Sequence, residues 1–172
     1  GDLMRYGPNS SSSRSSKLYT LKPTIIPPDM VVIVDTREQR PLFNTARIPK
    51  GLTLTSGTLS NGDYSIRGFE DKICFERKSA DIFSYCSSEH DKTVAKMKRL
   101  KEYEFAGLII ERKESELFQF QEHSKAHPEV IRAALISFEI RYGVHIYYGN
   151  TETCARWMLD RMVKFWNVKH EP

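Results

Sequence analysis

Asn61 to Asp81, NGDYSIRGFEDKICFERKSAD, is the stretch whose reading decides the fold. Ile73, Cys74 and Phe75 form an apolar run of strand length, and side chains two apart on a strand project to one face, so Glu76 and Lys78 point the same way. Asp63 follows the Asn61-Gly62 pair, a strong turn signal, and a hairpin built there brings its carboxylate beside Glu76. Two carboxylates and an amine then converge. Hydrolysing a phosphodiester sets an anion against an anion, and a divalent cation on oxygen ligands eases this by neutralising phosphate charge and acidifying a bound water. Asp63 and Glu76 supply such oxygens. Lys78 suits the orientation or deprotonation of the attacking water, or the stabilisation of developing negative charge, and a nearby metal tends to lower its pKa.

Acidic and basic residues alternating along a strand are often only a solvated face with cross-strand ion pairs, so Glu-x-Lys alone is a weak signal. The wider pattern is specific. Gly62, Asp63, a spacer, then Glu76, Arg77, Lys78 and a trailing Asp81 resemble the signature of the XPF-type structure-specific endonucleases (XPF, MUS and Hef relatives), a branch of the restriction-endonuclease-like PD-(D/E)XK superfamily. Upstream, VVIVDTRE at 31–38 is similar to that family's first core strand and its Asp-x-Arg-Glu motif. The resemblance covers roughly residues 30 to 170. It implies that Asp35, Asp63 and Glu76 surround a Mg²⁺ or Mn²⁺ ion, that Lys78 is catalytic, and that Arg37, Glu38 and Arg77 support it. It further implies a metal-dependent DNA endonuclease acting at branched, flap or fork structures in repair, recombination or replication, paired as a homodimer or with a related subunit. The alternative is a DNA-binding scaffold subunit without catalysis; the presence of Glu76, Arg77 and Lys78 together with Asp63 and Asp35 counts against it. Asp81 follows Lys78 after two residues where the family's eukaryotic members commonly have three, which leaves a helix cap as its other reading. The family's tandem helix-hairpin-helix module does not occur within these residues.

The 172 residues, 40% hydrophobic and 28% charged, suffice for one core. Residues 1–29 open with a Ser-rich, nonperiodic stretch and read as a flexible tail, and 30–172 as the nuclease domain. Cys74, Cys86 and Cys154 are scattered and odd in number, which argues against a disulfide framework or a zinc site. No apolar run is long enough for a membrane span and no signal peptide opens the chain, so the reading is an intracellular, DNA-containing compartment: nucleus in a eukaryote, cytoplasm or nucleoid in a prokaryote. A net charge of +4 is modestly favourable to nucleic acid. No Gly-rich phosphate loop or dinucleotide fingerprint is present.

Gln39 to Gly51 reads as a loop leaving the first strand, with Arg40, Arg47 and Lys50 as candidate phosphate contacts. LTLTSGTLS and YSIRG, followed by ICFERKS, form a three-strand block. Ser79 to Lys101 then reads as one interrupted helix or two, its later half carrying the basic cluster of Lys92, Lys96, Lys98 and Arg99. FAGLIIE is a buried strand, HPEVIRAALISFEIRYG an amphipathic helix, and VHIYYG a further strand. The last segment is a helix capped by Asn150 or Thr151, with Cys154, Trp157, Met158, Met162, Phe165 and Trp166 along one stripe, read as core first and dimer face second. The order specifies an α/β fold, a restriction-endonuclease-like three-layer sandwich with a mixed central sheet flanked by helices.

Overall fold

The computed structural model describes residues 21–122 and 126–172. One six-stranded mixed sheet runs through it in the order β2-β1-β3-β4-β5-β6. The strands are β1 Val31–Asp35, β2 Thr53–Gly57, β3 Tyr64–Ile66, β4 Ile73–Lys78, β5 Phe105–Ile110 and β6 His145–Tyr148. The helices are α1 Ile82–Cys86, α2 His90–Leu100, α3 Glu114–Leu117, α4 Pro128–Tyr142 and α5 Thr151–Lys169. The expected three-layer α/β sandwich is what the chain forms.

The sheet separates two cores. On one face Cys74, Leu108 and Ile110 pack against Ile82, Met97 and Phe138 of α1, α2 and α4. On the other, Tyr64, Phe75 and Ile109 pack against Met158 and Met162 of α5. The run FAGLII is apolar throughout because β5 lies between two parallel neighbours with helices on both faces. Gly107 sits at its middle for a steric reason: a Cβ there meets the Phe75 ring at 2.6 Å and Trp157 at 3.1 Å. Gly107→Ala therefore forces Phe75 off its rotamer, and a loss of about 1–3 kcal/mol in urea unfolding is expected.

The three expected strands form, as β2, β3 and β4, but they do not make one contiguous block. β1 inserts between β2 and β3, parallel to the first and antiparallel to the second, so β2 ends at the sheet edge. Nor does the Asn61-Gly62 turn close the hairpin that carries Asp63. That hairpin is β3–β4, joined through residues 67–72, and Asp63 stands just before β3. Gly62 has φ 78° and lies against the Phe75 carbonyl, a conformation and a clearance that favour glycine.

Of the two readings for Ser79 to Lys101, one interrupted helix or two, the chain takes the second, α1 and α2. Asn150 is the cap of α5: its side chain accepts from the Thr153 amide while Thr153 Oγ1 accepts from the Asn150 amide, a reciprocal pair. Of the α5 stripe, Cys154, Met158 and Met162 are buried, while Trp157, Phe165 and Trp166 pack against the same core, Phe69 meeting Phe165 and Trp166 edge-on. The exposed large apolar side chains of the helices include instead Val130, Ile136 and Ile140 of α4. Within the expected tail, 1–20 lie outside the described residues, whereas Thr24 donates to Asp160 at 2.6 Å and the Lys22 carbonyl accepts from Arg156, tying this stretch to α5. All three cysteines are free and buried. Among the described residues no helix is long and apolar enough to cross a membrane.

Candidate active site

The backbone of Asp63 is fastened on both sides. Its N–H donates to the Phe75 carbonyl at 2.7 Å and its C=O accepts from the Asp35 amide at 2.8 Å, so the ends of β1, β3 and β4 are held in line. The Arg77 amide also donates to Asp63 Oδ2 at 2.8 Å. In the antiparallel β3–β4 pair, Tyr64 is opposite Phe75 and points into the α5 core, which puts the next pair, Asp63 and Glu76, toward the opposite face. Burial, and next the negative charge of Glu76, push the Asp63 carboxyl up to about 7. Glu76 is itself only 3% exposed.

Lys78 completes the group. Its Nζ lies 3.7 Å from Glu76 Oε1 and 3.4 Å from Asp81 Oδ2, and 4.6 Å from the centre of the Tyr85 ring. Burial alone pushes this amine down, but Glu76 and Asp81 outweigh it and hold the ammonium above its ordinary range. Asp81 occupies the position before α1 without capping it: Oδ1 accepts from the Ser79 amide and Oδ2 faces Lys78. Its side chain positions the lysine.

Asp35 stands differently. Oδ1 accepts from the Leu59 amide and from Arg37, and Oδ2 from the Arg37 side chain and amide, so both oxygens are engaged. Burial works against its ionisation, yet Arg37 and the Leu59 amide hold its pKa below the ordinary range. The third ligand implied by the resemblance is thus committed elsewhere in this conformation, and among the described residues no group of three His, Cys, Asp or Glu side chains is arranged to hold a metal ion. Arg37, mostly exposed, also donates to the Leu59 carbonyl, and Glu38 is held close by the hydrogen bond its N–H donates to the Asp35 carbonyl.

Arg77 points to the α5 face, away from Lys78. Its guanidinium bonds Glu111 and the Arg40 carbonyl and faces Glu38 at 3.5 Å. Glu111 in turn accepts from Thr151 at the start of α5. Sequence reasoning missed Glu111, whose signal is a carboxylate directly after a buried strand, at the end where β4 carries Lys78.

Tyr85 was also missed. It is buried, lies beneath both Lys78 and Lys96, and among the described residues its hydroxyl has no hydrogen-bond partner. Tyr85→Phe removes an unsatisfied buried hydroxyl and keeps the ring, so a melting temperature equal to or above that of the parent is expected by calorimetry.

The basic candidates divide. Arg40 lines a cleft of about 340 Å³ with Arg37, Glu38, Arg77, Lys78 and Asp81. Lys92 and Lys96 line a smaller recess of about 90 Å³ that also includes Lys78 and Tyr85, and Arg99 donates to Asn61 at 2.8 Å. Lys98 is exposed on α2. Arg47 instead borders a groove beside α5 with Glu152 and Arg156, and Lys50 is exposed in the same loop.

The sequence profile of the ERCC4 domain matches residues 34–160, from the last residues of β1 into α5. The chain belongs to the ERCC4 domain family. The resemblance to XPF-type nuclease domains read from the motif is borne out. The fold of this ERCC4 domain is similar to that of XPF from Aeropyrum pernix, with a TM-score of 0.58, 21% identity and coverage of 78% of this chain and 60% of that one. It is likewise similar to XPF from Aeropyrum pernix in complex with DNA, with a TM-score of 0.57, 20% identity and coverage of 83% and 67%. The ERCC4 domain chain thus spans less than two thirds of the first of these structures. No curated protein sequence matches it.

Proposed function

We propose that this ERCC4 domain is a divalent-metal-dependent DNA endonuclease. The observation that carries the reading is the Asp63, Glu76 and Lys78 group: a buried and a half-buried carboxylate close enough for one to hinder ionisation of the other, with an ammonium beside them. The donor set fits Mg²⁺ or Mn²⁺, since both groups offer hard oxygens and, among the described residues, Glu76 Oε2 is buried without a hydrogen bond. Asp63 and Glu76 are the residues that would hold the ion, Asp35 joining them only if Arg37 releases it. Bound there, the metal supplies charge neutralisation at the phosphate and a more acidic water.

The chain's own residues do the rest. Lys78, oriented by Asp81, presents a proton donor and positive charge where the leaving oxygen gains negative charge. Arg37 and Arg40 border the cleft on one side of Lys78, and Lys92 borders the recess on the other, which suits a backbone crossing both. The DNA in the complex of the Aeropyrum pernix relative supports the same substrate class here, and branched, flap or fork junctions are the proposed form of it. Pairing with a second copy or a related subunit belongs to the same reading, and sedimentation at micromolar concentration checks it.

End-labelled flap, fork, duplex and single-stranded DNA, incubated in Mg²⁺, Mn²⁺ or EDTA, test the proposal. Metal-dependent cutting near the junction is expected; binding without cutting in every condition would replace it with a scaffold role. Lys78→Ala is expected to slow single-turnover cleavage by about 10²-fold or more while Mn²⁺ affinity changes far less, because the lysine acts on the reacting oxygens.

A further inference from the structure

The carboxylate of Glu76 faces two ammonium groups, and they are held very differently. Lys78 lies on the same strand and is fixed by Asp81. Lys96 comes from the middle of α2, with Nζ 3.1 Å from Glu76 Oε2. That oxygen has no aligned hydrogen bond despite the short separation, so the contact is charge pairing without directional lock. Among the described residues Lys96 meets no second carboxylate, its ring contact with Tyr85 is 5.7 Å, and its side chain is 26% exposed at the mouth of the recess.

We propose that Lys96 is a positioning residue that serves as a removable counter-ion, occupying the metal-facing oxygen of Glu76 in the free protein and passing to a DNA phosphate when the metal binds. The inference rests on the metal site of the preceding subsection. An ammonium and a divalent cation cannot share one oxygen without strong repulsion. A metal arriving at Asp63 and Glu76 therefore expels Lys96, whose long flexible stem reaches outward toward Lys92 and the groove edge. A phosphate lying there gives the expelled charge a new partner. Metal and DNA then favour each other's binding, and the coupling is reciprocal.

Two measurements with Lys96→Met, which keeps the stem and removes the charge, test this. Free Mn²⁺ is followed by electron paramagnetic resonance without DNA. Because the competing cation is gone, the variant should bind Mn²⁺ about tenfold more tightly than the parent. Fluorescence anisotropy of a labelled fork in Ca²⁺ or EDTA gives the second arm: the parent should bind more tightly in Ca²⁺, and the variant should lose most of that gain while matching the parent in EDTA. Lys96→Gln, shorter and neutral, repeats both arms, with a melting curve for each protein to establish folding.

Parent and variant binding Mn²⁺ equally, or the variant more weakly, would overturn the proposal while leaving the metal site standing. A loss of fork affinity equal in Ca²⁺ and EDTA would also overturn it, making Lys96 an ordinary phosphate contact. Absence of Mn²⁺ binding by both proteins would remove the metal site and this inference together.

Discussion

Glu76→Gln is expected to reduce cleavage of a fork substrate under single-turnover conditions by about 10³-fold or more, the scale associated with losing a central charge-stabilising group. The substitution preserves volume within β4, so the apolar neighbours Cys74 and Leu108 need not move. It removes the charge that both Lys78 and Lys96 face, and with it the hard anionic oxygen a divalent cation needs. Lys78 keeps Asp81 and Lys96 can turn to water, so the fold is expected to persist, with a melting temperature within a few degrees of the parent. Fork affinity in EDTA should be close to that of the parent. Rapid-quench cleavage, melting and anisotropy on one preparation check the three expectations together.

Arg77→Met is expected to act on stability first. The guanidinium is largely buried and serves Glu111, Glu38 and the Arg40 carbonyl, so it ties the end of β4 to the start of α5 through Thr151 and to the loop after β1. Burial alone disfavours its charge, and Glu111 more than offsets this, leaving the pKa raised. Removing the cation leaves two carboxylates and a carbonyl without their partner, a change that typically costs about 3–5 kcal/mol. At about 2–4 °C per kcal/mol for a domain of this size, the melting temperature should fall by about 10 °C. Arg77→Lys should recover only part, because an ammonium cannot serve all these acceptors with a planar fork. A shift under 2 °C for Arg77→Met would show that the clamp contributes little. Since the Arg77 amide also holds Asp63, loosening this strand end is expected to lower activity even at temperatures where the variant is folded.

What the sequence made legible follows from distance along the chain. The alternation of side chains in β4 is local, so Glu76 and Lys78 share a face as their spacing implies. The two-core architecture was readable from apolar runs such as FAGLII and the stripe of α5. The place of β1 between β2 and β3 was not, because a parallel β1–β2 pairing across 17 intervening residues leaves no local turn signal. The Arg77 clamp was hidden for the same reason: Glu111 is 34 residues away and meaningful only once β4 and β5 are paired. Lys96 illustrates a different limit. Helical spacing places it among surface lysines and suggests phosphate contact, but cannot reveal that its turn of α2 lies across from Glu76. Asp35 shows the converse, since the motif implies a ligand where Arg37, two residues on, has folded back over the carboxylate.

The most direct test of the central claim compares the parent and Asp63→Asn, prepared in parallel, in single-turnover cleavage of an end-labelled fork over a Mg²⁺ titration. Asn keeps the size of the side chain at Asp63 and removes one of two anionic oxygen donors. Mg²⁺-dependent cutting near the junction is expected of the parent and none of the variant at any Mg²⁺ concentration, with equal fork affinity in EDTA. Equal cleavage by the two proteins would contradict the claim and place the active site elsewhere.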